Sequence, residues 1–156
     1  HIENKKVLLG VAAVWDERKG LNDFVKLSKM LDDDYKIVLV GLSEKQIKEV
    51  PDNIIKISRT NSAVELAEIY TAADVFLNLT YEDNYPTVNL EAQACGTPVI
   101  TYDTGGSVES VPEENVIECG AVNEVKTLLL TSLLTLYENC FDKKDCLKIY
   151  LDILDQ

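Results

Sequence analysis

Tyr81-Glu82-Asp83-Asn84-Tyr85-Pro86-Thr87-Val88-Asn89-Leu90-Glu91, running on through Ala92-Gln93-Ala94-Cys95-Gly96-Thr97-Pro98-Val99-Ile100, reads as a polar loop, a helix, a tight turn and a buried strand. Pro86 suits the first helical turn, where its missing N–H costs nothing. The amides that follow it have no intrahelical acceptors and point at whatever lies above the helix. Glu82 and Asp83 stand just before the helix, and Glu91 lies about one turn inside it. Helical side chains lean toward the N-terminus, so the Glu91 carboxylate can approach the same spot. Unpaired amides favour phosphate and carboxylates favour hydroxyl donors. A ligand with phosphates at one end and sugar hydroxyls at the other satisfies both.

Working outward, short apolar runs alternate with amphipathic stretches. The expected strands are Val7 to Val14, Tyr35 to Gly41, Ile54 to Ile57, Val75 to Leu79, Pro98 to Tyr102 and the short pair Val116-Ile117. Between them, Leu21, Phe24, Val25, Ser28 and Leu31 fall at helical spacing, and a weak helix is expected over Ser43 to Val50. Ser62 with Glu65 three residues on predicts a capping box, ahead of a helix whose Ala63, Leu66, Ala67 and Tyr70 share one face. Further helical segments are expected over Glu124 to Tyr137 and Lys143 to Leu154. The alternation predicts an α/β fold: a Rossmann-like open parallel sheet of about six strands with helices on both faces. Such sheets bind ligands outside the carboxyl ends of their strands. The loops expected there are all polar, among them Trp15-Asp16-Glu17-Arg18-Lys19-Gly20, Gly41-Leu42-Ser43, Ser58-Arg59-Thr60-Asn61 and Asp103-Thr104-Gly105-Gly106-Ser107.

Composition bounds the partners. A chain of 156 residues fits one domain spanning 1–156, and a net charge of −12 without a Lys/Arg cluster argues against a nucleic-acid surface or anionic lipid docking by this domain. Cys95, Cys119, Cys140 and Cys146 match no zinc spacing, and the one histidine is His1, so a Ser/His/Asp or Cys/His nucleophilic set has no members. Free thiols and the absence of a signal peptide or spanning run favour a cytoplasmic chain. The Leu128-to-Leu134 region is too short and too interrupted to cross a bilayer.

Arg18-Lys19 would meet a phosphate held by the motif helix, because cations at a helix N-terminus oppose its dipole and need another reason to be there. Gly105-Gly106 would let backbone amides approach a ligand closely. Each feature has a plainer alternative: a solvated basic pair, a turn, a capping carboxylate. Clustered carboxylates also suit Mg²⁺, but the neighbouring amides and cations favour anions, so neither a metal nor another cofactor is expected. Trp15 and Tyr85 either stack on a base or pack. No G-x-x-x-x-G-K-[ST] or G-x-G-x-x-G is present.

Together, Arg18-Lys19-Gly20, the Glu82-to-Glu91 segment with its following Ala-Cys-Gly-Thr-Pro-Val-Ile, and Thr104-Gly105-Gly106-Ser107 resemble the C-terminal donor-binding domain of GT-B glycosyltransferases. The nearest group is the retaining family 4, whose hallmark is two acidic residues separated by seven. The resemblance covers roughly Val7 to Gly120. It implies transfer of a sugar from a nucleotide-diphosphate donor to a glycan or lipid-linked acceptor with retained configuration. It implies that Lys19, with Arg18, binds the donor diphosphate, that Thr87 and Val88 supply amides and that Glu91 holds the ribose. Asn84, Tyr85, Gly105 and Gly106 complete the expected donor site. The seven-residue gap to Glu91 is met by Asp83; Glu82 takes the sugar-facing place only with a one-residue insertion. The family's arginine about five residues before the lysine is replaced here by Val14. The resemblance further implies an N-terminal domain of the full-length protein that is absent from this sequence, inactivity of this half alone, and a place in the cytoplasm or at the inner face of a membrane. A non-catalytic nucleotide-sugar-binding module and a receiver-like Mg²⁺ domain are the other classes the same fold allows.

Overall fold

The computed structural model describes residues 4–131. Six parallel strands form one sheet in the order β3-β2-β1-β4-β5-β6. They are β1 (Lys6–Val11), β2 (Tyr35–Val40), β3 (Ile55–Ile57), β4 (Val75–Asn78), β5 (Val99–Tyr102) and β6 (Val116–Ile117). The helices are α1 (Leu21–Met30), α2 (Glu44–Glu49), α3 (Ala63–Ala72), α4 (Thr87–Ala94) and α5 (Val122–Thr131), with short 3₁₀ turns at Glu17–Lys19, Gly105–Ser110 and Glu113–Asn115. None of the described helices is long and apolar enough to cross a membrane. The helical segment expected over Lys143 to Leu154 lies outside the described residues, as does the end of the one expected to reach Tyr137.

Alternation along the strands splits the core into two layers. Leu8, Ile37, Leu39, Leu77, Ile100 and Tyr102 face Phe24 and Leu27 of α1 and Val125 and Leu129 of α5. Leu9, Val38, Val40, Phe76 and Val99 face Ala67 and Tyr70 of α3 and Ala92 of α4. Burying one such large apolar side chain contributes roughly 1.5–3 kcal/mol, so the sheet is held from both sides. Cys95 is fully buried at the end of α4, ahead of Gly96, and packs in the second layer.

Three local expectations differ from the structure. The first strand stops at Val11 rather than Val14. The Ala12 amide still donates to the Val40 carbonyl at 3.2 Å, but the Trp15 indole N–H takes the same oxygen at 2.8 Å. That bond folds the chain back on itself, buries Trp15 against Phe24 and leaves Val14 70% exposed. Trp15 is therefore packing, not a platform for a base.

At α3 the Ser62 hydroxyl caps the Glu65 amide, but the Glu65 carboxylate bonds Asn61 instead of closing the box. The complete capping box belongs to Ser43 and Gln46 of the helix that looked weak. Finally, Pro86 is the N-cap of α4 and the helix begins at Thr87. The Asn89 amide returns to the Pro86 carbonyl at 3.1 Å, leaving Thr87 and Val88 as the first-turn donors.

Candidate functional site

The strand order reverses direction between β1 and β4, and a crevice opens there at the carboxyl edge. Two cavities lie side by side, of about 360 Å³ and about 580 Å³. Both are lined by Val11, Ala12 and Ala13 on one wall and by Thr87 and Val88 on the other. They form one cleft whose middle is the N-terminus of α4.

The smaller arm carries Arg18, Lys19, Asn78, Asp83 and Tyr85. Lys19 Nζ meets Asp83 Oδ2 at 2.8 Å, both side chains being partly covered. Arg18 is occupied outside the pair: its guanidinium forms a fork on Asp16 at 2.8 and 3.1 Å and reaches toward Glu82 at 3.9 Å. The same contact with Arg18 holds the Asp16 carboxyl below its ordinary range. Glu82 is largely exposed and lines neither arm. The two acidic neighbours thus diverge, and the cleft-facing one is Asp83. Arg18-Lys19 ends a 3₁₀ turn rather than opening a helix, since α1 starts only at Leu21 after Gly20.

The larger arm carries Gly41, Ser58, Arg59, Thr60, Leu66 and Glu91. Glu91 Oε2 accepts from the Tyr70 hydroxyl at 3.1 Å, which steadies a carboxylate oxygen one turn into α4. Arg59 is exposed at the rim of this arm. It was legible only as part of a polar loop; a lone arginine carries no spacing signal, and its position beside Glu91 comes from β3 lying two strands from β1.

Gly105-Gly106 packs against the acidic loop. The Gly106 amide donates to the Asn84 carbonyl at 2.9 Å, and neither glycine lines the cleft. A Cβ on Gly105 would sit 1.9 Å from the Asp83 carbonyl oxygen, and one on Gly106 would sit 2.2 Å from that of Asn84. At both positions the missing side chain lets the acidic loop pack close. Asn84 is likewise exposed and bonded through its backbone, outside both arms, whereas Tyr85 lines the smaller one.

Gly20 does the same for the basic turn. Its φ is +70°, and a Cβ there would lie 2.0 Å from the Leu79 carbonyl oxygen. Gly20→Ala is expected to destabilise the domain by about 1–3 kcal/mol through backbone strain and overlap, read as a lowered melting temperature. An unchanged melting temperature would contradict this packing.

Beneath the cleft, Asn78 Nδ2 donates to Asn89 Oδ1 at 2.9 Å, and Asn89 Nδ2 donates to the Ser110 hydroxyl at 2.9 Å. Ser110 in turn donates to the Ser107 carbonyl at 2.6 Å. This buried chain ties the first turn of α4 to β4 and to the 3₁₀ turn that begins with the two glycines. It was not foreseen, because Asn and Ser so far apart in sequence give no periodic signal.

An open parallel sheet with a crevice at its switch point is the architecture in which α/β domains bind their ligands. The glycosyl transferases group 1 family model matches residues 1–137, and the chain belongs to that family. Among curated relatives, it is 27% identical over 115 residues to N,N'-diacetylbacillosaminyl-diphospho-undecaprenol alpha-1,3-N-acetylgalactosaminyltransferase of Campylobacter jejuni, covering 71% of this chain and 30% of that protein. It is 29% identical over 111 residues to alpha-galactosylglucosyldiacylglycerol synthase of Streptococcus pneumoniae, covering 65% and 29% respectively. The chain therefore spans under a third of the length of these relatives.

Solved structures share the fold. Sucrose-phosphate synthase of Thermosynechococcus elongatus superposes with a TM-score of 0.72 at 23% identity, over 97% of this chain and 44% of that one. Anabaena Alr3699/HepE in complex with UDP-glucose superposes with a TM-score of 0.68 at 16% identity, over 99% and 50%. The sheet is thus one Rossmann-like half of a GT-B fold.

Proposed function

We propose that this chain is the donor-binding half of a retaining glycosyltransferase that moves a sugar from a nucleotide-diphosphate donor to a glycan or lipid-linked acceptor. The observation that carries the reading is the continuous cleft centred on the Thr87 and Val88 amides, with Lys19 and Asp83 in one arm and Glu91 and Arg59 in the other. A diphosphate belongs in the middle, over the helix N-terminus. The ribose hydroxyls belong on Glu91, with the base beyond them toward Gly41 and Arg59. The sugar extends the other way, past Asp83.

Lys19 and the helix amides, with Arg18 nearby, stabilise the charge that grows on the leaving diphosphate, an electrostatic role that needs no proton transfer. The donor's own phosphate then assists attack on the face it leaves, consistent with a chain whose one histidine is His1. Most acceptor contacts and the second wall of the cleft come from an N-terminal domain of the full-length protein, which works on the cytoplasmic side, where its acceptor lies in solution or at the membrane's inner face. No cofactor is required, the nucleotide sugar being a substrate.

A thermal-shift panel of UDP-, GDP- and ADP-sugars tests the binding step. Ligand at about 100 times its Kd stabilises by roughly 2.7 kcal/mol, an easily read rise in melting temperature. At least one donor is expected to produce it; no rise with any of them would contradict the proposal.

A further inference from the structure

Asp23 is a buried carboxylate outside the cleft. It lies in the first turn of α1 with 1% of its surface exposed, and takes three donors. Lys26 Nζ meets Oδ1 at 2.8 Å, while Oδ2 accepts from Tyr102 at 2.9 Å and from the Tyr81 hydroxyl. Burial alone would push the Asp23 carboxyl up, but the hydrogen bonds from Lys26, Tyr81 and Tyr102 outweigh it and keep the group below its ordinary range. An ionised acceptor with every donor in place is a rigid anchor.

Tyr81 is fastened at both ends. Its backbone N–H donates to the Arg18 carbonyl at 2.7 Å, and its hydroxyl reaches Asp23. The Thr80 hydroxyl joins it on the same Arg18 carbonyl at 3.1 Å. Lys19 therefore sits on a segment pinned on either side, at Arg18 and at Asp23, and Asp83 follows two residues after Tyr81. The Tyr81 ring rests edge-on against Tyr102 with centroids 5.4 Å apart, which holds the ring in place. Tyr81 thus links the Lys19 turn, through its backbone, to Asp23, through its hydroxyl, and lines neither arm of the cleft.

On the donor-binding reading above, we infer that Tyr81, anchored on Asp23, is a positioning residue that holds the Lys19 ammonium where the donor diphosphate must lie. A merely stabilising network would behave differently. It would lower the melting temperature and leave the affinity of the folded protein alone, whatever stands at position 19.

Tyr81→Phe removes the hydroxyl and keeps the ring. UDP, GDP and ADP are titrated by NMR into the unaltered protein, Tyr81→Phe, Lys19→Ala and the double variant. Tyr81→Phe is expected to weaken the tightest-binding of the three about five-fold, and less than two-fold when Lys19 is already alanine. Adding Asp23→Asn to Tyr81→Phe should cost little more, since the shared bond is already gone. Equal losses in both backgrounds, or no loss in either, would overturn the inference while the donor site stands. Absence of binding to the unaltered protein would overturn both.

Discussion

Lys19→Ala is expected to weaken nucleoside diphosphate binding by about 1.5–3 kcal/mol, the worth of one charge-assisted hydrogen bond, or roughly 10- to 150-fold in Kd. The companion substitution should act with the opposite sign. Asp83 Oδ2 lies 2.8 Å from Lys19 Nζ and holds the ammonium that a diphosphate would recruit. Asp83→Asn removes that competitor and one negative charge from the cleft, so the nucleoside diphosphate should bind several-fold more tightly. On the proposed function, transfer by the full-length enzyme should nonetheless fall, because the carboxylate proposed to face the sugar is lost. Calorimetry on both variants reads the two signs side by side. Equal weakening by Lys19→Ala and Asp83→Asn would mean that the pair is a structural ion pair and that neither group meets phosphate.

Glu91→Ala carries the second large effect. Glu91 lines the larger arm, with Tyr70 steadying one oxygen at 3.1 Å. A carboxylate that accepts from ribose hydroxyls distinguishes ribonucleotides from their 2′-deoxy counterparts. The unaltered protein should prefer the ribonucleoside diphosphate by about 1.5–3 kcal/mol, and Glu91→Ala should erase the preference by weakening the ribonucleotide more than its 2′-deoxy counterpart. Competition titrations with paired ribo- and deoxyribonucleoside diphosphates measure this directly. A preference that survives in Glu91→Ala would remove Glu91 from the ribose site.

The tyrosine pair behind the cleft predicts an alkaline signature. Hydrogen bonding to the Asp23 carboxylate, aided by burial, raises the Tyr81 hydroxyl to about 12. An unfolded tyrosine ionises near 10. A raised folded value means that this contribution to stability is complete below about pH 10 and is lost between about pH 10 and about pH 12. The Tyr81 ring resonances should titrate late in the unaltered protein and at lower pH in Asp23→Asn; an unmoved Tyr81 titration would mean that burial rather than Asp23 is the cause.

The strands and the two-layer core were legible because each is a local apolar pattern: Tyr35 to Val40 and Val75 to Asn78 can hardly be anything but buried strands. Thr87, Val88 and Glu91 were legible because one helix turn brings them together without help from the rest of the chain. What escaped is long-range. The end of β1 is decided by an indole from Trp15 bonding Val40, and the packing at Gly105-Gly106 by the backbone of Asp83 and Asn84 lying within contact. Arg59 enters the cleft only because β3 lies on the same side of β1 as Glu91's arm. The choice between Asp83 and Glu82 rested on counting residues, and the fold adds a physical reason: Lys19 partners Asp83, while Glu82 faces solvent.

The central claim is that the N-terminus of α4 holds a nucleoside diphosphate between Lys19 and Glu91. Backbone amide NMR during titration with UDP, GDP and ADP tests it most directly. The largest shifts are predicted at the Thr87 and Val88 amides, with Lys19 and Ala12 following in proportion. Shifts clustered elsewhere, with Thr87 and Val88 unmoved at saturation, would contradict it.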